Sequence, residues 1–402
     1  MTGEAPRFEV AFSSRSAFEL RPNALSLAVA ARRASGRRLL DLTVSNPTTV
    51  GLSPPWARVC AALSSGEAGR YEPAAMGLPA ARAAVSQYYQ TRGFCLDSER
   101  VCLTASTSDG YAFVFKLLCE PGDHVLVPAP SYPLFDYLAA LDGVQVDRYP
   151  LHECDGWAMD VGALAAAITP RTKAIVVVSP NNPTGSYLKR GEREALRDLC
   201  ARHALVLVCD EVFADYALRE DEEGARVASM VDELAAPTFV LSGLSKVAGL
   251  PQLKLGWIVI AGPERFAREA RERLELIGDT YLSVGTPVML AAPALLALAD
   301  EAAQAIRART TRNLAWIARH VARSPCTLLP VEAGWSAILR VPRLASEESM
   351  CVALLEEAGV LVHPGHFFDL ASEAFVVVSL LTEPDVLDEG LGKLLDFMRE
   401  RA

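Results

Sequence analysis

The chain has 402 residues, about half of them apolar (51%), and a formal net charge of -10. That length exceeds one ordinary core and suits two domains, and the apolar share excludes a disordered chain. Lys and Arg are interspersed with Asp and Glu and form no basic stripe, which argues against a nucleic-acid partner. The nine cysteines show no C-x-x-C spacing. They suit neither a disulfide framework nor a metal site, and predict free thiols in a reducing compartment and no metal. No apolar segment follows a basic start, and the apolar stretch 288–298 is too short for a bilayer and carries Pro293. A cytoplasmic protein without membrane contact is therefore expected.

In chain order, the first predicted element is a helix at 23–35. A strand at 101–104 leads into a helix at 108–118. Strands at 124–128, 174–179, 204–209, 238–241 and 256–260 follow, separated by helical segments such as 189–203. Each strand is a short continuous apolar run, rich in Val and bounded by Pro, Gly, Asp or Ser. Such runs with helical crossovers imply a mostly parallel sheet sandwiched by helices. Past 300 the order changes to a helix at 301–323, a strand at 336–340, a helix at 346–358, a strand at 375–380 and a final helix from 383. This reads as a smaller α+β domain, which the amino-terminal helix joins because chain ends often pack together. The expected class is α/β, with 1–45 packing on the small domain, 46–295 forming the large domain and 296–402 the small one.

Five groups carry the chemistry. In LSGLSKVAGLPQLKLGW, 241–257, a strand ends in a small polar loop that holds Lys246. A partly desolvated lysine loses its proton more readily and becomes a nucleophile, although a solvated loop lysine fits this segment alone equally well. In VVVSPNNPTGSY, 176–187, a tight turn displays Asn182 at the carboxyl end of a buried strand, where open α/β sheets bind ligands. In LVLVCDEVFADY, 205–216, Asp210 ends a central strand, where a carboxylate needs a cation or donors. A helix N-cap would explain that residue too. Ser106, Thr107 and Ser108 open a helix whose free amides suit a phosphate, or serve as an ordinary cap. Tyr132 sits in a Pro-rich loop where it could stack on an aromatic ring or simply pack. Together these groups match what a pyridoxal 5′-phosphate (PLP) site asks for.

The ordered set resembles the class I/II aminotransferases of PLP fold type I. RYEPAAMGLPAAR (70–82), TASTSDGY (104–111), SPNNPTG (179–185), CDEVFADY (209–216), SGLSK (242–246) and VHPGHFF (362–368) carry the resemblance. It implies that Lys246 holds PLP as a Schiff base and later shuttles the substrate α-proton. Asp210 would keep the ring nitrogen protonated, Asn182 would donate to the ring oxygen, and Tyr132 would stack on the ring. Ser106, Thr107, Ser108, Ser245 and Lys254 would hold the phosphate. Tyr71 would reach the phosphate of a second subunit, which implies a homodimer with shared sites. Asn46, Trp335 and Arg340 are the candidate substrate contacts. The implied reaction moves an amino group between an amino acid or amine and a 2-oxo acid. A lyase or decarboxylase on the same scaffold, and a non-catalytic PLP-binding protein, are the alternatives.

The chain departs from the family pattern at four positions. Phe213 stands where a tyrosine usually donates to the ring oxygen, and phenylalanine cannot donate. Lys254 stands for the phosphate arginine, and Gly243 for a small hydroxyl residue. In FVVVSLL, 375–381, Val377 occupies the place of the arginine that clamps the substrate carboxylate. Arg340, on a neighbouring strand, could substitute, although a solvated strand-end arginine is the simpler reading.

Overall fold

The computed structural model describes residues 11–221 and 224–402. Its first strand, β1 (Leu40–Asp41), follows the helix Ala24–Ala34. That helix begins because Asn23 accepts a hydrogen bond from the Ser26 N–H and satisfies an end amide. The large sheet then collects β2 (Val101–Thr104), β3 (His124–Ala129), β4 (Gln145–His152), β5 (Ala158–Met159), β6 (Thr172–Val178), β7 (Val206–Asp210), β8 (Thr238–Gly243) and β9 (Gly256–Ala261). The small sheets use β10 (Thr327–Leu328), β11 (Ser336–Arg340), β12 (Val360–Leu361), β13 (His363–Pro364) and β14 (Phe375–Ser379).

The large sheet has the order β2-β9-β8-β7-β6-β3-β4-β5. The five strands β8, β7, β6, β3 and β4 run parallel, while β9 and the edge strand β5 run against their neighbours. The central strands are apolar throughout because helices cover both faces. Ile175, Val176, Leu207, Val208, Phe239, Val240 and Leu241 are fully buried. Each such side chain contributes roughly 1.5–3 kcal/mol of burial free energy. One apolar cluster lies on each face of this sheet.

The smaller sheet, β10-β11-β14-β13, is antiparallel. The helices Glu347–Ala358, Pro384–Arg401 and Ala299–Val321 supply other buried residues of its apolar cluster. β1 pairs in parallel with β12, which joins the segment after the first helix to the carboxyl-terminal part of the chain. Among the described residues, no single helix is long and apolar enough to cross a membrane.

Candidate active site

A cavity of about 500 Å³ opens between the large sheet and the small antiparallel sheet. Its floor is the carboxyl ends of β6, β7 and β8, reached at Val178, Asp210 and Gly243. Its roof includes Ser336 on β11, His363 on β13 and Val377 on β14.

Asp210 ends β7 because the parallel strand delivers its last residue to the cavity. Its Oδ2 accepts a hydrogen bond from the Tyr111 hydroxyl at 3.1 Å, and its Oδ1 accepts the Val212 N–H at 3.1 Å. Burial pushes this carboxyl up to about 6, against the pull of those two bonds and of Lys246. A carboxylate so placed favours a cationic partner.

Lys246 follows β8 on the single turn Leu244–Val247. The Tyr216 hydroxyl donates to the Lys246 carbonyl and fixes its backbone. The Lys246 nitrogen lies 4.8 Å from the centre of the Trp335 ring and 5.6 Å from that of Phe213. Burial lowers its pKa, with Asp210 opposing. The amine is thus closer to its nucleophilic form than a solvated lysine, while the two ring faces moderate that loss of charge.

The helix Thr107–Leu118 points its first turn into the same cavity. Ser106 caps it, accepting from the Asp109 N–H at 3.1 Å. Asp109 in turn takes the Ala105 N–H at 3.0 Å and the Ser283 hydroxyl at 2.7 Å, which fixes the loop. The amides of Thr107 and Ser108 remain as an anion cradle. Gly256 lets β9 press against this cradle. A Cβ there would lie 2.8 Å from the Ser106 carbonyl carbon and 3.0 Å from the Thr107 nitrogen. The departure at Gly243 has a similar cause: a Cβ would fall 2.9 Å from the Leu255 oxygen.

Asn182 accepts the Ser336 hydroxyl through Oδ1 at 3.2 Å, which leaves its amide NH₂ to serve the cavity. Tyr132 lines the mouth and is half exposed. Ser245, Lys254 and Trp335 also line the cavity. A buried acid, a lysine of lowered pKa, an amide cradle and aromatic walls share one volume. PLP would fit this donor set, with Asp210 suited to its ring nitrogen, Lys246 to its aldehyde and the helix start to its phosphate.

Three expected residues lie elsewhere. Arg340 ends β11 at the far side from Ser336, about 13 Å along the strand. It pairs with Glu153, is half exposed and does not line the cavity. Asn46 turns its side chain onto its own loop, accepting from the Thr48 N–H at 3.0 Å and the Thr48 hydroxyl at 2.8 Å. Thr43, Val44 and Ser45 line the cavity in its stead. Tyr71 is 74% exposed and borders a separate small cleft with Gly77, Phe113 and Leu282.

Other functional residues were not singled out from the sequence. Tyr111 sits one helical turn after Ser108, a spacing that puts both on one face and could have revealed it. Tyr216 and His363 lie within quoted motifs, but no local pattern says where their side chains point. Among the described residues lining the cavity, the cationic or cationisable side chains are Lys246, Lys254 and His363.

Comparison with known proteins agrees with this geometry. Residues 37–394 match the family described as aminotransferase class I and II. The alanine aminotransferase of Mycobacterium tuberculosis (strain ATCC 25618 / H37Rv) is 30% identical over 351 residues, which is 84% of this chain and 80% of the relative. The glutamate-pyruvate aminotransferase AlaA of Escherichia coli (strain K12) is 29% identical over 286 residues, 70% of each chain. The structure of an alanine aminotransferase from Pyrococcus furiosus superposes with a TM-score of 0.85 at 24% identity, covering 94% of this chain and 96% of that one. A match over most of the chain, on the fold and the ordered motifs already described, leaves one assignment: the chain belongs to the class I and II aminotransferases and has the PLP fold type I architecture.

Proposed function

We propose that this transaminase holds PLP covalently on Lys246 and moves an amino group from an amino acid or amine to a 2-oxo acid. The observation that carries the reading is the meeting of Lys246 and Asp210 in one cavity beside the start of the helix Thr107–Leu118. When bound, the cofactor supplies an electron sink for the charge left by the departing α-proton. Once the substrate amine displaces it, Lys246 would take up that proton at its side-chain nitrogen and give it back to the cofactor carbon it had held, kept within reach by the Tyr216 bond to its backbone. Asp210 keeps a proton on the ring nitrogen, and Tyr111 holds Asp210 in line for it. Thr107 and Ser108 hold the phosphate through amides, joined by Ser106, Ser245 and Lys254. Asn182 gives its amide N–H to the ring oxygen, and Tyr132 covers the ring. The relatives named for alanine and for glutamate and pyruvate support a small amino acid paired with a 2-oxo acid as substrates.

Exposure of Tyr71 supports a role across a subunit boundary, so the proposed active form is a homodimer with shared sites. Nine free thiols support a reducing compartment such as the cytoplasm.

Borohydride trapping tests the reading. Reduction of the purified protein followed by proteolysis should leave the label on the peptide that contains Lys246. The Lys246→Ala variant should lose transamination by roughly 10²–10⁴-fold or more, as removal of a general base does. A label on another lysine, or an active variant, would refute the proposal.

A further inference from the structure

We propose that His363 supplies the positive charge for the substrate carboxylate that Val377 cannot, binding it as an imidazolium; this rests on the transaminase reading above. β13 and β14 are antiparallel, and His363 stands directly opposite Val377. Opposed residues of an antiparallel pair share one face of the sheet, with Cβ atoms about 4.5–5.5 Å apart. Both residues line the cavity. A group on His363 therefore reaches the space that an arginine at 377 would have entered. The other two cationisable side chains belong to the cofactor end, Lys246 as its anchor and Lys254 beside its phosphate. His363 is the one on the roof, where the substrate must lie.

The wall around it is apolar, with the Phe367 and Phe368 rings centred 5.9 and 5.8 Å from the imidazole. A carboxylate entering such a wall loses its water and needs a countercharge. Burial lowers the His363 pKa below its ordinary value of 6.5, with Asp41 opposing. A neutral imidazole spares the apolar wall a permanent cation. A carboxylate ligand restores the countercharge and raises that pKa, so binding takes up a proton. The sign follows. Between the His363 pKa of the free enzyme and that of the complex, carboxylate affinity falls roughly tenfold for each rise of one in pH. An uncharged ligand takes up no proton and shows no such slope.

Other charged groups near His363 are already engaged. Asp41 on β1 accepts the Thr43 N–H at 2.8 Å and its hydroxyl at 2.6 Å. Glu347, on the helix Glu347–Ala358, which packs against β13, accepts the N–H groups of His366 at 2.7 Å and Phe375 at 2.8 Å. His366 also sets its own Nδ1 3.3 Å from Glu347. Lys246, Asp210 and Lys254 face the roof from across the cavity.

The test uses the holoenzyme and two small probes that cannot be transaminated, propionate and its neutral amide. Calorimetric titration from about pH 5.5 to about pH 8, in buffers of different ionisation heat, counts the protons taken up. The carboxylate should take up close to one proton per site and weaken steeply as pH rises, and the amide should do neither. His363→Asn should abolish the uptake and weaken the carboxylate at least tenfold near pH 6, leaving the amide unchanged. Adding Val377→Arg to that variant should restore carboxylate binding without the pH slope. Carboxylate binding without proton uptake overturns the proposal. So does an unchanged His363→Asn protein, or a wild type that does not bind the acid at any pH. Loss of the cofactor itself would show separately, in the borohydride labelling of Lys246.

Discussion

At the residue scale, the unusual position is Phe213. The family resemblance places a hydrogen-bond donor there, and the ring has none. The structure adds a second effect: Phe213 and Trp335 both present π faces to the Lys246 nitrogen, at 5.6 and 4.8 Å. Both effects would favour the protonated form of the proposed linkage between Lys246 and PLP. The missing donor leaves the anionic ring oxygen less stabilised, and the ring faces attract the cation. Phe213→Tyr should therefore make the linkage more acidic. A charge-assisted hydrogen bond of roughly 1.5–3 kcal/mol corresponds to a shift of about one to two in pH. The pH midpoint of the visible absorption band reads this directly. A midpoint that stays put or rises would show that the hydroxyl does not reach the oxygen. Trp335 was expected as a substrate contact, yet its ring also stands edge-on to Phe213 and Tyr216 at 5.2 and 4.9 Å. A sequence gives the identities of these rings but not their mutual angles, which arise from packing between β7, β8 and β11.

At the element scale, the proposed phosphate cradle depends on one close approach. β9 runs antiparallel beside β2, and its first residue, Gly256, lies against the turn from β2 into the helix Thr107–Leu118. The atoms that a Cβ would meet there are mainly backbone, at 2.8 and 3.0 Å, and backbone yields poorly. Gly256→Ala should push the helix start away from the cavity. Overpacking of this kind costs about 1–3 kcal/mol, and the displaced amides should weaken PLP binding at least tenfold. Thermal unfolding of the apoprotein and fluorescence titration with PLP separate the two effects. A variant that is destabilised but binds PLP normally would mean that the helix start does not bear the phosphate. Most of this architecture was legible in the sequence, because the central strands are continuous apolar runs with polar ends. The predicted strand at 101–104 coincides with β2, and those at 124–128, 174–179, 204–209, 238–241 and 256–260 fall within two residues of the observed ends. β4 left no such signal. Its residues QVDRYPLH are mostly half-exposed, because only the two-residue strand β5 lies beyond it. The antiparallel direction of β9 was likewise silent, since an apolar run carries no direction.

At the scale of the whole molecule, the cavity draws on both the large sheet and the smaller one. β7 and β8 deliver Asp210 and the turn with Lys246, while β13 and β14 deliver His363 and Val377. Ordered motifs could reveal the first pair, because each sits in its own segment. The second pair is a matter of register between two strands, and that emerges only when the chain is folded. Tyr71 extends the same logic beyond one chain. Its ring is 74% exposed and lies outside the cavity of its own chain, so a role at the cofactor phosphate requires a neighbouring subunit. Such an arrangement can be tested by complementation. In a shared-site dimer, a Lys246→Ala subunit still lends Tyr71 to its partner, and a Tyr71→Ala subunit still provides Lys246. Each variant alone should be impaired. After mixing, unfolding and refolding together, about half of the dimers are hybrids, and each hybrid has one site with both residues intact and one with neither. Activity should then return to about one quarter of that of the wild type. Sites confined to single chains would give no such gain, because every Lys246 in the mixture would remain in a chain that lacks Tyr71.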